Sequence, residues 1–277
     1  MPAAQAPAAP GRAAAFFDVD NTVIRGASGY HLARELYRRR LFRLRDIAFF
    51  ARHAAAFMLF GEDLDRIAAV RGRALRISRG LSVAEIVSIG EDVYDEVLGS
   101  RVFPGTRALL RDHLTAGHEV WLVTATPVEI SDLIARRLGA TGSIGTRAES
   151  VDGYYTGRLE GDLLHGPGKR SAVRALAAAR GIELDSSYAY GDSVNDVPLL
   201  SSVAHPCAIN PEPRMRLHAA AAGWTVRDFG RRRRSMRQDL RRGARSARWA
   251  GTAWAVAVVV RGVLRQRAGR SAAEPVP

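Results

Sequence analysis

Two aspartates separated by one residue follow the first apolar run of the chain. Asp18 and Asp20 flank Val19, directly after the run at residues 13–17. Side chains alternate between the two faces of a strand, so both carboxylates would point to the same side. Two carboxylates that close repel each other, and a hard cation such as Mg²⁺ between them offsets the repulsion. An ordinary turn closed by the Asn21 side chain explains the same residues, so this pair alone leaves both interpretations open.

A second acidic motif, Gly-Asp-Ser-Val-Asn-Asp, occupies residues 191–196. It follows the third apolar run of the chain and precedes a helical pattern. Gly191 permits a tight turn, Asp192 offers a third carboxylate for a metal ion, and Asn195 and Asp196 begin the helix. Asparagine and aspartate are also common helix caps, so the motif has a purely structural explanation as well.

Thr124 and Lys169 are the candidate phosphate-binding residues. Thr124 ends the second apolar run and precedes a helix, where its hydroxyl and the following amides can donate to a phosphate, although a simple helix cap fits equally. Lys169 is the only lysine among the 41 basic residues; the others are all arginine. A compact ammonium differs from a forked guanidinium in reach and hydration. A surface lysine kept by chance is the alternative, but the sequence favours a confined site that holds both phosphate and carboxylate.

The elements that must carry these residues alternate between strands and helices. Apolar runs predict four strands, at residues 13–17, 120–124, 188–190 and 203–209. The last is predicted to be an edge or irregular strand because it contains a proline. Helical patterns and one hairpin lie between them, at residues 104–116, 127–138, 144–163 (the hairpin), 169–180 and 195–201. This alternation predicts an α/β fold with a parallel, Rossmann-like sheet covered on both faces. Such sheets bind ligands at the carboxyl ends of their strands, where Asp18, Thr124 and Asp192 converge.

Residues 27–101 interrupt the alternation and predict an inserted all-helical cap. Ser82 and Glu85 form a capping-box pair at the start of its last helix. The four helical stretches of the cap are 29–40, 44–60, 62–79 and 82–99. The predicted organisation is a disordered leader (1–12), a core split into residues 13–26 and 102–226, the cap (27–101) and a basic tail (227–277).

The four motifs, in this order, resemble the haloacid dehalogenase superfamily of aspartate-nucleophile phosphatases. The resemblance covers residues 13–215, and the helical insert after the first motif is similar to the phosphoserine-phosphatase-like branch. It implies a Rossmann-like core under a mobile helical cap and Mg²⁺ as the cofactor. It also implies that Asp18 attacks phosphorus to form an aspartyl-phosphate and that Asp20 acts as general acid and base.

The remaining roles are implied by the same resemblance. The metal is expected on the Asp18 and Asp192 side chains and on the backbone carbonyl of Asp20. The phosphate is expected on Thr124, Lys169 and Asn195. Asp196 is expected to support the site by holding Lys169 or a water on the metal.

The substrate is less well defined than the chemistry. Phosphoserine phosphatases usually carry a glutamate nine residues after the nucleophile, where this chain has Ala27, and a Ser-Gly-Gly motif where it has Thr-Ala-Thr at 124–126. Arg71 and Arg73 of the predicted cap are candidates to bind a substrate carboxylate. The expected substrate is a small organic phosphate of the phosphoserine type. The apolar stretch 47–60 provides either the core of the cap or an apolar entrance for a lipid phosphate.

Most of the net charge of +13 lies in the tail, whose residues 227–277 contain fourteen arginines and three acidic residues. Residues 249–260 are apolar but too few to span a bilayer. They fit either an anchor on an anionic membrane surface or a solvated tail, and no specific nucleic-acid binding is expected. We therefore keep three alternatives: a cytoplasmic phosphatase, a lipid-phosphate phosphatase at the inner face of the membrane, and a docking protein with a vestigial phosphatase core. A single cysteine, Cys207, excludes an internal disulfide.

Overall fold

A six-stranded parallel sheet forms the centre of the protein. The computed structural model describes residues 12–39, 41, 46, 49, 72–161 and 164–229. The sheet has the strand order β3-β2-β1-β6-β7-β8, and β4 and β5 form a separate antiparallel hairpin. The strands are β1 (Ala14–Phe17), β2 (Glu119–Pro127), β3 (Gly142–Thr146), β4 (Ala148–Val151), β5 (Tyr154–Leu159), β6 (Tyr188–Gly191), β7 (His205–Ile209) and β8 (Thr225–Arg227).

Helices cover both faces of this sheet, as the neighbouring residues Phe16 and Phe17 show. Phe16 packs in a cluster with Val173 and Leu199, whereas the ring of Phe17 lies edge-on to that of His113 on the other side. Both phenylalanines are fully buried, which is why the run lacks an apolar–polar alternation. The labelled helices are α1 (Ser28–Arg38), α2 (Val83–Val93), α3 (Pro104–Thr115), α4 (Val128–Leu138), α5 (Pro167–Arg180), α6 (Val197–Leu200) and α7 (Pro213–Ala221). The predicted fold class, a Rossmann-like α/β sheet, is confirmed.

The prediction that residues 203–209 form an edge or irregular strand is wrong. Strand β7 lies inside the sheet, between β6 and β8. Its pairing with β8 begins at Cys207, one residue after Pro206, so the N–H that proline lacks is not needed there. Strand β8, which contains only three residues, was not predicted.

Part of the predicted hairpin belongs to the main sheet. Residues 142–146 form β3, which pairs in parallel with β2. The hairpin proper turns at Asp152 and Gly153, both with positive φ, as that dipeptide predicts. Strand β3 was missed because Gly142, Ser143 and Gly145 give it neither apolar character nor alternation.

Helices also follow β1, as predicted for an inserted segment. Beside α1 and α2, residues 72–78 are helical, and α2 continues into a π-turn (Tyr94–Leu98) and a 3₁₀ turn (Gly99–Arg101). The predicted capping box is wrong, because the Ser82 side chain makes no capping hydrogen bond at the start of α2. The stretch 44–60 lies outside the described residues except for 46 and 49.

The described residues divide into two compact units. One contains residues 12–35 and 78–229, with the whole parallel sheet, and the other contains the described residues between 36 and 77. Within the second unit Arg73 forms an ion pair with Asp46, and its guanidinium lies over the ring of Phe49, 5.5 Å from the ring centroid. The cap boundaries at 27 and 101 remain a prediction.

Candidate active site

The predicted site residues come from four elements of the sheet unit. Asp18 directly follows β1, and Asp192 directly follows β6. Lys169 lies in the first turn of α5. Thr124 was predicted to end its strand, but β2 continues to Pro127 with a shift of register after Val123.

Lys169 bridges two buried carboxylates. Its ammonium donates hydrogen bonds to Asp18 Oδ1 at 2.6 Å and to Asp196 Oδ1 at 2.7 Å. Lys169 is 5 % exposed, Asp18 6 % and Asp196 1 %. An ammonium carries three donors around one nitrogen, so it can serve both carboxylates in a small space. Burial by itself lowers the pKa of Lys169, but the two carboxylates outweigh it and hold the pKa above its ordinary value.

Three carboxylates crowd together beside this ammonium. Asp18, Asp192 and Asp196 each offer one oxygen, and these oxygens lie within 4.8 Å of one another. Burial raises the pKa of Asp18 to about 7 against the opposing effect of Lys169. Burial, together with the charges of Asp18 and Asp196, raises the pKa of Asp192 to about 9. Fully ionised, the three carboxylates would carry more negative charge than one ammonium neutralises, and a divalent cation would stabilise that ionised form.

The loop between β6 and α6 holds Asp196 in place. Asp196 Oδ2 accepts from the backbone N–H groups of Asp192 and Ser193, at 3.3 and 3.2 Å, and from the Ser193 hydroxyl at 3.1 Å. A Cβ at Gly191 would lie 2.5 Å from Asp196 Cβ, so only glycine fits there. Asn195 lies in the same 3₁₀ turn (Val194–Asp196) and is partly exposed.

Glu212, which was not predicted as a site residue, supports this loop. Its carboxylate accepts from the N–H of Val194 at 3.0 Å, and its own N–H donates to the carbonyl of Asp192 at 2.9 Å. It directly precedes Pro213, the first residue of α7. The Glu212 charge also contributes to the raised pKa of Asp192.

The loop after β1 orients Asp20. Asp20 Oδ1 accepts from the backbone N–H of Ser28, the first residue of α1, at 2.8 Å. Burial raises the pKa of Asp20, while hydrogen bonds from the Ser28 hydroxyl and N–H lower it. Asn21 has a φ of +59°, and its side-chain oxygen accepts from the N–H of Gly26. The turn considered as an alternative therefore exists, and it brings the chain back toward Asp20.

Thr124 lies in a short series of buried hydroxyl groups. Its Oγ1 donates to Thr126 Oγ1 at 3.1 Å and accepts from the N–H of Thr126 at 3.2 Å. The Thr126 hydroxyl lies 3.0 Å from Ser28 Oγ. Ser28 and Thr126 were not predicted as site residues, although Thr126 stands two positions after Thr124, the spacing that places side chains on one face of a strand.

The other predicted features belong to the second unit or lie outside the described residues. Arg73 pairs with Asp46 inside its own unit, and Arg71 lies outside the described residues. So do residues 230–277 and most of 47–60, on which the membrane alternatives depend. Among the residues that the structure describes, no helix has the length and apolar character needed to cross a bilayer.

Known proteins are similar to this chain in both sequence and fold. A model of the haloacid dehalogenase-like hydrolases matches residues 15–201. Phosphoserine phosphatase SerB1 of Mycobacterium tuberculosis is 51 % identical over 226 residues, which cover 81 % of this chain and 73 % of that protein. A protein of unknown function from Bordetella pertussis Tohama I is 32 % identical with a TM-score of 0.68, covering 79 % of this chain and 99 % of its own.

A more distant solved structure shares the fold. It is a phospho-aspartyl intermediate analogue of phosphoserine phosphatase, with a TM-score of 0.56 at 18 % identity, covering 83 % of this chain and 98 % of its own. At that identity the likeness concerns the arrangement of strands and helices alone.

Proposed function

The chain belongs to the haloacid dehalogenase-like hydrolase family, in its phosphoserine-phosphatase-like branch, and on that premise we propose that it is a Mg²⁺-dependent phosphomonoesterase. In this proposal Asp18 forms an aspartyl-phosphate. The observation that carries it is the buried ammonium of Lys169 between Asp18 and Asp196, at 2.6 and 2.7 Å. Burying charges is costly, so a cluster of this kind is retained where chemistry uses it.

The residues at this sheet edge fit a magnesium ion. Carboxylate oxygens are the ligands that Mg²⁺ prefers, and a bound cation would favour the ionised forms of Asp18 and Asp192, whose pKa values are raised by burial and by the neighbouring carboxylates. Asp18 and Asp192 would hold the ion with their side chains, and the resemblance adds the backbone carbonyl of Asp20. When bound, the ion offsets the repulsion between the nucleophile and an anionic substrate.

The protein's own residues then divide the reaction into two steps. An oxygen of Asp18 bonds to phosphorus as the ester P–O bond breaks, and Asp20 gives a proton to the departing alkoxide. Asp20 next takes a proton from the water that attacks phosphorus, which releases phosphate and restores Asp18. Thr124, Lys169 and Asn195 bind the phosphoryl oxygens, where charge is spread during the transfer.

Lys169 has a second task in this scheme. In the structure it pairs with Asp18, and it can turn one of its three donors to a phosphoryl oxygen while Asp196 keeps the nitrogen in position. Asp196 itself is fixed by the two backbone N–H groups of the loop. The supporting role of Asp196 therefore follows from its contact with Lys169.

The proposed substrate is a small phosphomonoester. A relative with 51 % identity is named a phosphoserine phosphatase, which favours phosphoserine or a similar compound. Ala27 replaces the usual glutamate, so we expect the ammonium of phosphoserine to be recognised differently or not at all. The alternatives, a lipid phosphate at an anionic membrane and a vestigial core in a docking protein, remain predictions, as does the cytoplasmic location.

Hydrolysis of a chromogenic phosphomonoester tests the proposal. We expect activity that requires Mg²⁺ and that Asp18→Asn abolishes without loss of the fold. Asp185→Asn, at an exposed position, is the matched control and should leave turnover unchanged. Turnover retained by Asp18→Asn would contradict the assignment.

A substrate panel separates the alternatives. Phosphoserine, sugar phosphates and lysophosphatidate would be compared, together with sedimentation on anionic liposomes of the full chain and of a chain shortened by residues 230–277. Preference for lysophosphatidate and tail-dependent sedimentation would favour the lipid alternative. Sedimentation without any hydrolysis would favour the docking alternative.

A further inference from the structure

A series of buried hydroxyl groups connects the proposed phosphate-binding residue to Asp20. Thr124 Oγ1 donates to Thr126 Oγ1, and Thr126 Oγ1 lies 3.0 Å from Ser28 Oγ. Ser28 is 1 % exposed, Thr124 2 % and Thr126 6 %. A hydroxyl without a partner at such depth would cost free energy, so each group must find one within the series.

Ser28 is the residue that reaches Asp20. It is the first residue of α1, and its N–H is one of the amides that a helix leaves without an internal partner. That N–H donates to Asp20 Oδ1 at 2.8 Å. The first turn of α1 contains no acidic residue of its own, so Asp20 supplies the negative charge that this end of the helix favours. The carboxylate of Asp20 therefore takes its orientation from Ser28.

Counting hydrogens gives the series a direction. Each hydroxyl has one hydrogen to donate. The Thr124 hydroxyl donates its hydrogen to Thr126, so the Thr126 hydroxyl, which accepts there, can donate to Ser28. The hydrogen of the Ser28 hydroxyl is then available to Asp20, whose pKa that hydroxyl lowers. Asp20 thus accepts from the N–H of Ser28, and Thr126 holds the hydroxyl of the same residue.

We propose that Ser28 and Thr126 are positioning residues that hold the carboxyl group of Asp20 toward the leaving oxygen of the substrate. The inference rests on the proposed function, because it concerns the proton that Asp20 gives to the departing alkoxide. Neither residue touches the reacting atoms. Ser28 bonds Asp20 directly, and Thr126 fixes the Ser28 hydroxyl from the strand that carries Thr124.

The identity of the leaving group distinguishes positioning from a merely structural role. An alkoxide is a strong base and needs the proton from Asp20, whereas p-nitrophenolate leaves readily without one. A misplaced Asp20 therefore slows the hydrolysis of an alkyl phosphate more than that of p-nitrophenyl phosphate. General loss of structure would slow both by the same factor.

The test compares kcat for 2-glycerophosphate and for p-nitrophenyl phosphate at saturating Mg²⁺. Ser28→Ala and Thr126→Val remove one hydroxyl each at nearly constant shape, Thr126→Ser restores it, and Asp20→Asn sets the upper limit of the effect. Ser187→Ala is the matched control. Ser187 is a buried serine before β6, at the amino ends of the strands, and its hydroxyl accepts from the N–H of Ala14 and donates to the carbonyl of Glu183. Thermal unfolding is measured for every variant.

We expect Ser28→Ala and Thr126→Val to lower the alkyl-to-aryl ratio of kcat by about tenfold, the order of magnitude of one intramolecular hydrogen bond. Thr126→Ser should recover the ratio, Ser187→Ala should leave it unchanged, and KM should change little in all of them. An unchanged ratio in both hydroxyl-free variants would overturn the inference while leaving the proposed function intact. Wild-type protein that hydrolyses neither ester would overturn both.

Discussion

Replacing Asp192 by asparagine should stabilise the metal-free protein and abolish its activity. The unfolded chain ionises this carboxyl above its ordinary pKa of 3.8, whereas the folded, metal-free protein keeps it protonated up to about pH 9. The unfolded state therefore releases a proton that the native state retains, and stability falls as pH rises between those two values. Asparagine has nearly the same size and never ionises, so it removes this loss.

The expected magnitude follows from the pKa of Asp192. Each pKa unit corresponds to about 1.4 kcal/mol, so the native state loses roughly 4 kcal/mol between pH 3.8 and neutrality. Asp192 is only partly buried, so we expect Asp192→Asn to raise the free energy of unfolding by about 2 to 4 kcal/mol. In a domain of this size that amounts to an increase in Tm of roughly 5 to 15 °C.

Urea unfolding at pH 7.5 in EDTA measures this change, with Asp185→Asn as the control for removing one exposed charge. Addition of Mg²⁺ should then raise the Tm of the wild type and leave that of Asp192→Asn unchanged. A variant less stable than the wild type in EDTA would refute the reasoning. It would mean that Asp192 contributes favourable contacts in the metal-free state rather than repulsion.

Three further predictions concern the same site. The stabilisation by Mg²⁺ should grow as pH rises from about 4 to 9. Over this range the metal-free fold loses stability because it keeps Asp18 and Asp192 protonated, whereas the ion binds their ionised forms. A stabilisation by Mg²⁺ that calorimetry finds to be independent of pH would contradict this. Gly191→Ala should lower both Tm and activity, because its Cβ would displace Asp196, and normal values for both would contradict that contact. Lys169→Arg should retain the fold but lose about 10²-fold in kcat, since the larger guanidinium cannot occupy the same space. Wild-type kcat in that variant would show that the ammonium is not required.

The strands that carry the site were predictable because they are buried on both faces. Residues 13–17 and 188–190 are continuous apolar runs, and the structure places β1 and β6 there within one residue. Strands β3 and β8 were not predictable in the same way, since one is rich in glycine and serine and the other has three residues. These two strands form because they pair with neighbouring strands, and that pairing cannot be predicted from the local sequence.

The site was only partly visible in the sequence. Asp18 and Asp192 stood out through their positions at strand ends, and Lys169 through its rarity and its place at the start of a helix. Ser28 and Glu212 did not, because each acts through contacts with residues far away in the chain. Ser28 contacts Thr126 and Glu212 contacts Val194 in the folded protein, across 98 and 18 positions of the chain.

The most direct test of the central proposal is to trap the covalent intermediate. The protein would be mixed with excess phosphomonoester and Mg²⁺ and quenched in acid, and the peptide bearing the phosphoryl group would be identified by mass spectrometry. The account predicts one phosphoryl group on Asp18 in the wild type and none in Asp18→Asn. A phosphoryl group on another residue, or undiminished turnover by Asp18→Asn, would contradict it.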